Sequence, residues 1–218
     1  MNSREDEHKI SSEEMETGKQ FMLAELDNIR AFKEQSVTIG DKRVDVFLTL
    51  ASALVAGLGL LSQTGINARS FLFVALGGAL SLLAMGINVF RQVLERDILL
   101  VDYIRYMNRI RCYFAERAPH LKPFLLMPTS HNFPKYDWQS SNRRTPMVIN
   151  AVASGIAVAL ISMLVKNTIY PEFFEVGIAT LGFSVGYILQ AYYARRFFLK
   201  AESKAKQRYT VTLFDAQE

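Results

Sequence analysis

The sequence has little of the chemistry from which active sites and metal centres are built. Its single cysteine, Cys112, cannot form an intrachain disulfide. The three histidines, His8, His120 and His131, sit apart in polar sequence, and no His-x-x-x-His, Cys-x-x-Cys or glycine-rich phosphate loop occurs. We therefore expect no catalytic residue, no metal site and no cofactor, and the chain is not predicted to be an enzyme.

Charge is also absent, but only from four long stretches. Half of the 218 residues are hydrophobic, and residues 46–68, 70–90, 145–165 and 176–194 contain no Asp, Glu, Lys, Arg or His. At ~1.5 Å rise per residue, each block crosses a hydrocarbon core of ~30 Å. The sequence predicts an all-α membrane protein with four transmembrane helices. Proton- or cation-coupled transporters usually keep a carboxylate inside the membrane, so the uncharged spans count against that class.

The distribution of Lys and Arg predicts the orientation of these helices. Seven precede the first block, ten lie between the second and third, and six follow the fourth, whereas the two short connections hold only Arg69 and Lys166. Basic residues concentrate on the cytoplasmic side of membrane proteins. We expect a multi-pass protein of the inner (plasma) membrane with helical extensions into the cytoplasm and with both termini inside.

Five segments follow from this topology. They are a cytoplasmic N-terminal amphipathic helix (1–43), a first transmembrane hairpin (44–90), a cytoplasmic helix with a proline-rich loop (91–145), a second hairpin (146–194) and a cytoplasmic tail (195–218). We expect Thr145 and Pro146 to begin the third span as N-cap and first helical residue. The fourth helix is expected to end near Gln207, and residues 209–214 alternate like a strand.

The cytoplasmic segments carry two apolar stripes at helical spacing. Residues 11–36 predict a helix that Ser11 and Ser12 cap, with a stripe that we expect to pack on other cytoplasmic helices rather than on lipid. No glycine or proline interrupts residues 91–118, so the second helix is expected to continue through them. The two stripes are Met15, Met22, Leu26, Ile29 and Phe32, and Leu94, Ile98, Val101, Ile104, Met107, Ile110 and Phe114.

Small residues recur in the spans at the spacing that lets helix backbones approach closely. Part of this surface is expected to pack helices within one subunit, and part is expected to join subunits into a homo-oligomer. The helix-packing candidates are Ala151, Gly155 and Ala159 in the third span and Gly182 and Gly186 in the fourth.

One side of the first span combines small and hydroxyl side chains. Thr49, Ser52, Ala56 and Gly59 fall along this side, and uncharged hydroxyls can line a weakly selective pore. Such hydroxyls also often serve only to bond neighbouring helices. These four residues are the candidates for lining a pore.

The middle cytoplasmic segment is basic and predicts an anion-binding surface. It carries ten basic and five acidic residues. Arginine forks match phosphate geometry, so the candidate ligand-binding residues are Arg105, Arg109, Arg111, Arg143 and Arg144. The alternative is that these arginines form a solvated helix face, fix the orientation of the chain and touch lipid headgroups.

Residues 43–50 (RVDVFLTL) and 106–124 (YMNRIRCYFAERAPHLKPF) are similar to stretches of small bacterial membrane proteins. In architecture the chain resembles the membrane effectors of bacterial antiphage systems, and the Hailong-type oligomeric channel effector is nearest in kind. That resemblance implies an antiviral defence protein that forms a tetramer and opens on a nucleotide or oligonucleotide signal. It assigns no residue.

Two functions are consistent with these patterns. The first is an oligomeric inner-membrane channel or pore-forming effector, gated from the cytoplasm by an anionic nucleotide or oligonucleotide ligand or by a partner protein, which would depolarise the membrane. The second is a membrane scaffold or anchor that recruits a cytoplasmic protein through the helices of residues 11–36 and 91–118. A continuous polar path through an oligomer is required by the first function and not by the second.

Overall fold

Nearly all of the described backbone is helical. The computed structural model describes the backbone of residues 3–117, 123, 134–136, 141–165 and 172–214, and the side chains of residues 16–116, 123, 134–136, 143–165 and 174–207. The helices are α1 (Ser3–Ser62), α2 (Ala68–Arg117), α3 (Ser141–Val165) and α4 (Glu172–Phe214). All four are long and apolar enough to cross a membrane, which makes the chain a candidate multi-pass membrane protein.

The chain divides into two units, each with its own packed side chains. Residues Met1–Thr38 and Leu99–Lys135 form the first, which we call the helix-pair unit. Residues Ile39–Ile98 and Tyr136–Glu218 form the second, which we call the four-helix unit because all four helices contribute to it.

The core of the helix-pair unit joins the apolar stripes of α1 and α2. Ile29 of α1 is buried with Met107 and Ile110 of α2, and neighbouring apolar side chains pack around these three. Phe32 and Tyr103 stack with their ring centroids 6.5 Å apart. The predicted packing of the α1 stripe on another helix is therefore confirmed for the described residues.

A short turn joins α1 to α2 and is built from local hydrogen bonds. The amides of Gln63 and Thr64 donate to the carbonyls of Leu60 and Leu61 at 3.0 and 3.2 Å. Gly65 then takes a φ of 69°, which a residue with a side chain rarely adopts. Asn67 is the N-cap of α2, because its Oδ1 accepts a hydrogen bond from the backbone amide of Arg69 at 3.0 Å.

Two apolar clusters hold the four-helix unit together. One joins α2, α3 and α4 through Phe90, Leu94, Met147, Ala194 and Phe198. The other packs Phe47 of α1 on Val89 and Val93 of α2.

Helices α3 and α4 approach each other closely along their small residues. A Cβ atom added at Gly155 would lie 2.7 Å from the carbonyl oxygen of Ala179. A Cβ at Gly182 would lie 3.1 Å from the Cα of Gly155, and one at Gly186 would lie 3.0 Å from Ser154. Ala151 is buried at the same contact, and Ala159 is half-buried farther along α3. Gly155, Gly182, Gly186 and Ala151 thus serve packing within one chain.

This close contact gives a first prediction. Gly155→Ala places a methyl group against a backbone carbonyl that cannot rotate away, so we expect a loss of about 1–3 kcal/mol in the free energy of unfolding. Gly177→Ala is the matched control, because a Cβ at Gly177 meets nothing within 4 Å. Thermal unfolding of the two purified variants in detergent measures the difference. Equal stability of the two would show that α3 and α4 are not in close contact here.

Three sequence predictions about helix ends were wrong. Helix α1 begins at Ser3 and runs without interruption to Ser62, so Ser11 and Ser12 lie within it. Extending an existing helix is far less costly than nucleating a new one, and residues 3–62 contain no proline. The same argument explains why α4 continues to Phe214 through the residues that alternate like a strand.

The third error concerns the start of α3. Pro146 lies inside the helix, which begins at Ser141 rather than at Pro146. Serine and asparagine favour helix N-termini, and residues 140–142 are Ser-Ser-Asn. Because proline has no N–H group, Pro146 lacks only the hydrogen bond to the carbonyl of Asn142, which lies at the N-terminal end of the helix. By contrast, the predicted continuation of the second helix is confirmed through residues 91–117, because α2 ends at Arg117, and residue 118 lies outside the described residues.

Candidate functional site

The five arginines predicted to bind an anion have different surroundings. Arg105 is only 2% exposed, and its Nε donates to the carbonyl of Pro134 at 3.1 Å. Its guanidinium thus bonds to the backbone at Pro134. Arg144 is exposed, whereas Arg143, the residue before it, is buried.

Arg109 and Arg111 line two different grooves of the helix-pair unit. Arg109 lies over the ring of Tyr106, 5.5 Å from its centroid, in a mostly apolar groove that also contains Glu25 and Phe32. Arg111 lines a second groove with Arg30 and Lys33 of α1. The structure therefore does not gather Arg105, Arg109 and Arg111 into one site.

The second groove is strongly cationic, and we call it the cationic groove. Its volume is about 550 Å³, and its lining contains Arg30, Lys33 and Arg111 but only one acidic residue, Glu34. The rest of the lining is Val37, Thr38, Ile104 and Met107.

Contacts behind the groove orient the guanidinium of Arg111. Its Nη1 donates to Oδ1 of the buried Asn108 at 2.9 Å. Burial lowers the pKa of Arg111, and the nearby charge of Arg30 lowers it further. Because both arginines line the same groove, an anion bound there would offset their like charge.

A buried charge cluster lies in the four-helix unit. The Nε of Arg143 on α3 is 2.7 Å from Oδ2 of Asp97 on α2, and Arg143 is 1% exposed. Arg96 places Nη2 3.6 Å from Oδ1 of Asp97 and Nη1 3.3 Å from Oδ1 of Asp41 on α1. The guanidinium of Arg143 also lies 4.3 Å from the ring centroid of Phe198 on α4. All four helices therefore meet at this charge cluster.

The charge cluster depends on close packing and on pairing of its charges. A Cβ atom at Gly40 would overlap Nη1 of Arg96, so the glycine makes room for this conformation of the arginine beside α1. Desolvation raises the pKa of the Asp97 carboxyl above its ordinary value, and the positive charges of Arg143 and Arg96 lower it in part. The arrangement is a structural ion pair between helices. Arg143 is therefore buried and paired with Asp97 rather than exposed for a ligand.

The pore-facing candidates on α1 are all uncovered in the single chain. Thr49, Ser52, Ala56 and Gly59 are exposed, and a Cβ at Gly59 would meet nothing within 4 Å. The hydroxyls of Thr49 and Ser52 each donate to the carbonyl four residues earlier, at 2.9 Å. These hydroxyls are therefore satisfied without a neighbouring helix, and their oxygens still have accepting capacity.

An amide pair joins α3 to α4 inside the four-helix unit. The fully buried Asn150 donates through Nδ2 to Oε1 of Gln190 at 3.0 Å, and Gln190 donates through Nε2 to the carbonyl of Gly186 at 3.2 Å. A Cβ at Gly86 of α2 would overlap Oδ1 of Asn150 and would lie 2.8 Å from Cζ of Phe47. Gly86 thus lets three helices meet.

Sequence reasoning missed Arg30, Lys33, Asp97 and Gly86. A signal for the first two existed, because Arg30, Lys33 and Val37 are spaced as one face of a helix. Asp97 and Gly86 carry no such signal, since their importance depends on residues of another helix.

Comparison with known proteins identifies no relative of this chain. Neither a protein family, nor a curated protein, nor a solved structure matches the chain.

Proposed function

We propose that the chain is a multi-pass inner-membrane protein, with both termini in the cytoplasm, that assembles into a homo-oligomeric channel. An anionic ligand, a nucleotide or oligonucleotide, or a partner protein opens it from the cytoplasm. The observation that carries the proposal is the uncovered side of α1 with Thr49, Ser52, Ala56 and Gly59. The resemblance to antiphage effectors supports a tetramer and a role in antiviral defence.

Packing energetics favour a second copy of the chain against α1. Only 6% of the most apolar window is buried within the chain for α1, and likewise for α4, compared with 28% for α3. Glycines facing lipid give up van der Waals contacts that a neighbouring helix supplies, and Gly57 and Gly59 both face open space. Gly155, Gly182 and Gly186 are already used in the contact between α3 and α4, so we place the subunit interface and the pore wall on α1.

Cysteine scanning tests the pore. Cys112 is the only cysteine, so a Cys112→Ser background allows single cysteines to be introduced one at a time. We expect a charged thiol reagent to reduce the conductance of Ser52→Cys and Ala56→Cys channels severalfold, because the attached group narrows and charges the pore. Leu50→Cys is the control on another side of α1. Modification that leaves current through Ser52→Cys and Ala56→Cys unchanged would rule out this pore wall.

A scaffold is the second candidate, and one surface favours it. The apolar groove of Phe32, Tyr103, Tyr106 and Ile110 measures about 460 Å³, and Phe21 on the same helix as Phe32 is 67% exposed. Exposed aromatic groups of this kind anchor protein partners. A scaffold needs no ion path, so purified protein that conducts in liposomes excludes the pure scaffold. The absence of ion conduction by the purified protein with every ligand tested supports the scaffold.

A further inference from the structure

We infer that the cationic groove of the helix-pair unit binds a phosphate ester that also carries an apolar group. This inference names the ligand class for the proposed gating and rests on that proposed function. The ester could belong to a soluble nucleotide or to a lipid headgroup, since both present the same phosphate chemistry.

The charges of the groove point to phosphate. Two arginines, one lysine and one glutamate line this single cavity, which gives its lining a net positive charge. Planar guanidiniums donate to two phosphate oxygens at once, and lysine adds a mobile point charge. The bond from Arg111 to Asn108 holds one of these forks in place before any ligand arrives.

The size and the floor of the groove point to a larger molecule than phosphate itself. A volume of about 550 Å³ is within the range of small-molecule sites, which is roughly 300–1,000 Å³. Ile104 and Met107 of α2 and Val37 of α1 form an apolar part of the lining, and Thr38 supplies a hydroxyl. Such a lining suits a nucleobase or an acyl-bearing group attached to the phosphate.

The excess of basic over acidic residues in its lining makes the groove selective for anions. Arg30 has an ion pair with Asp27 at 3.4 Å, but both side chains are more than half exposed, so solvent screens that pair. A phosphate between the guanidiniums would gain from both charges at once. A neutral ligand of the same shape would gain no charge–charge attraction from them.

Binding to full-length protein in detergent tests the inference. The probes are AMP, whose base supplies an apolar surface, inorganic phosphate, and adenosine as the uncharged analogue. We expect saturable binding of AMP, weaker binding of phosphate and none of adenosine. Arg111→Gln and Lys33→Gln should each weaken AMP binding about tenfold or more, because a charged hydrogen bond is lost.

Lys19→Gln is the matched control. It removes one positive charge from the same helix as Lys33, at an exposed ion pair with Glu16 outside the groove. It should bind AMP like the parent. Arg111→Lys keeps the charge but loses the fork, so its affinity should lie between those of the parent and Arg111→Gln. Circular dichroism and gel-filtration profiles equal to the parent's show that each variant is folded.

A second experiment, with lipid, distinguishes a soluble nucleotide from a lipid headgroup as the source of the ester. Protein in nanodiscs of phosphatidylcholine is compared with protein in nanodiscs that also contain phosphatidic acid. Protection of the Lys33 amine from acetylation only with phosphatidic acid, together with no AMP binding, assigns the groove to a lipid headgroup. AMP binding in detergent assigns it to a soluble ligand.

The inference fails if no probe binds saturably and phosphatidic acid gives no protection, or if Arg111→Gln binds like the parent. Conductance in liposomes is measured separately. A channel that conducts but binds none of these probes would overturn the inference and leave the channel intact. Binding without any conductance would overturn the channel and leave the phosphate site.

Discussion

Replacement of Asp97 by asparagine is expected to destabilise the four-helix unit by about 3–5 kcal/mol, because it leaves buried arginine charges without their carboxylate. Arg143 is almost fully buried with its Nε 2.7 Å from Asp97, and Arg96 approaches the same carboxylate at 3.6 Å. Asparagine keeps the size of the side chain but removes its charge. The ring of Phe198 near Arg143 offsets only a small part of that loss.

The measurement is thermal or denaturant unfolding of the purified protein in detergent. Glu95→Gln is the matched control, two positions away on α2, where an exposed carboxylate pairs with Arg91 at 3.0 Å. An exposed pair contributes about 0–1 kcal/mol, so this variant should unfold close to the parent. Equal stability of Asp97→Asn and Glu95→Gln would show that the charge cluster is not formed.

A paired replacement separates the loss of charge from the loss of shape. Asp97→Leu together with Arg143→Met removes both partners and fills similar space with apolar atoms, which is often neutral or stabilising for a buried ion pair. Arg96 keeps its contact with Asp41 at 3.3 Å. We therefore expect the double variant to recover most of the stability that Asp97→Asn loses. A double variant as unstable as Asp97→Asn would mean that the site requires the charges themselves.

The helical class of the protein could be predicted from sequence because one physical requirement dominates it. Backbone N–H and C=O groups in lipid must form hydrogen bonds within their own segment. A long uncharged run therefore predicts a helix regardless of the sequence on either side of it. The helix ends could not be predicted to the residue. Ser11 and Pro146 are good signals for a helix start, but in a chain this rich in helix the preceding residues already extend the helix past them.

The roles of the arginines could not be predicted, because the sequence of a basic segment does not show which arginines are buried and which are exposed. Arg105 is hydrogen-bonded to a carbonyl 29 residues away, and Arg143 is paired with a carboxylate on another helix. Arg111 lies in the cationic groove only because α1 brings Arg30 and Lys33 beside it. Which cations are used inside the protein and which remain for a ligand is decided by partners distant in sequence.

The apolar packing of the helix-pair unit is the opposite case. Ile29 and Ile110 belong to stripes whose spacing of 3.6 residues is visible in the sequence, and the two stripes meet in the structure. Periodicity identifies the buried face of a helix without identifying its partner. A polar contact such as that of Asn150 with Gln190 has no periodicity and is visible only in three dimensions.

Gly86→Val is expected to cost at least about 3 kcal/mol, the upper end of the usual range for overpacking, because the space at Gly86 is already filled. The first added carbon would overlap Oδ1 of Asn150, and Cζ of Phe47 lies 2.8 Å from the same point. Asn150 has no exposed surface and Phe47 has none, so neither side chain can move into solvent. The overlap is relieved only if the Asn150 amide turns away, which breaks its bond to Gln190, or if α2 moves away from α3.

Gly77→Val is the matched control for this effect. It lies on the same helix, and a Cβ there meets nothing within 4 Å. Valine is a better helix former than glycine, so this variant should be as stable as the parent or slightly more stable. Unfolding in detergent measures both variants under the same conditions.

A second-site change tests the cause of the loss at Gly86. Asn150→Ala removes the oxygen that the valine would overlap, so Gly86→Val with Asn150→Ala should be more stable than Gly86→Val alone. Asn150→Ala by itself should be less stable than the parent, since Gln190 loses its buried partner. The coupling between the two sites is expected to be about 1–2 kcal/mol and favourable. Strict additivity of the two losses would show that Gly86 and Asn150 do not touch, and the close meeting of α1, α2 and α3 at Gly86 would then be wrong.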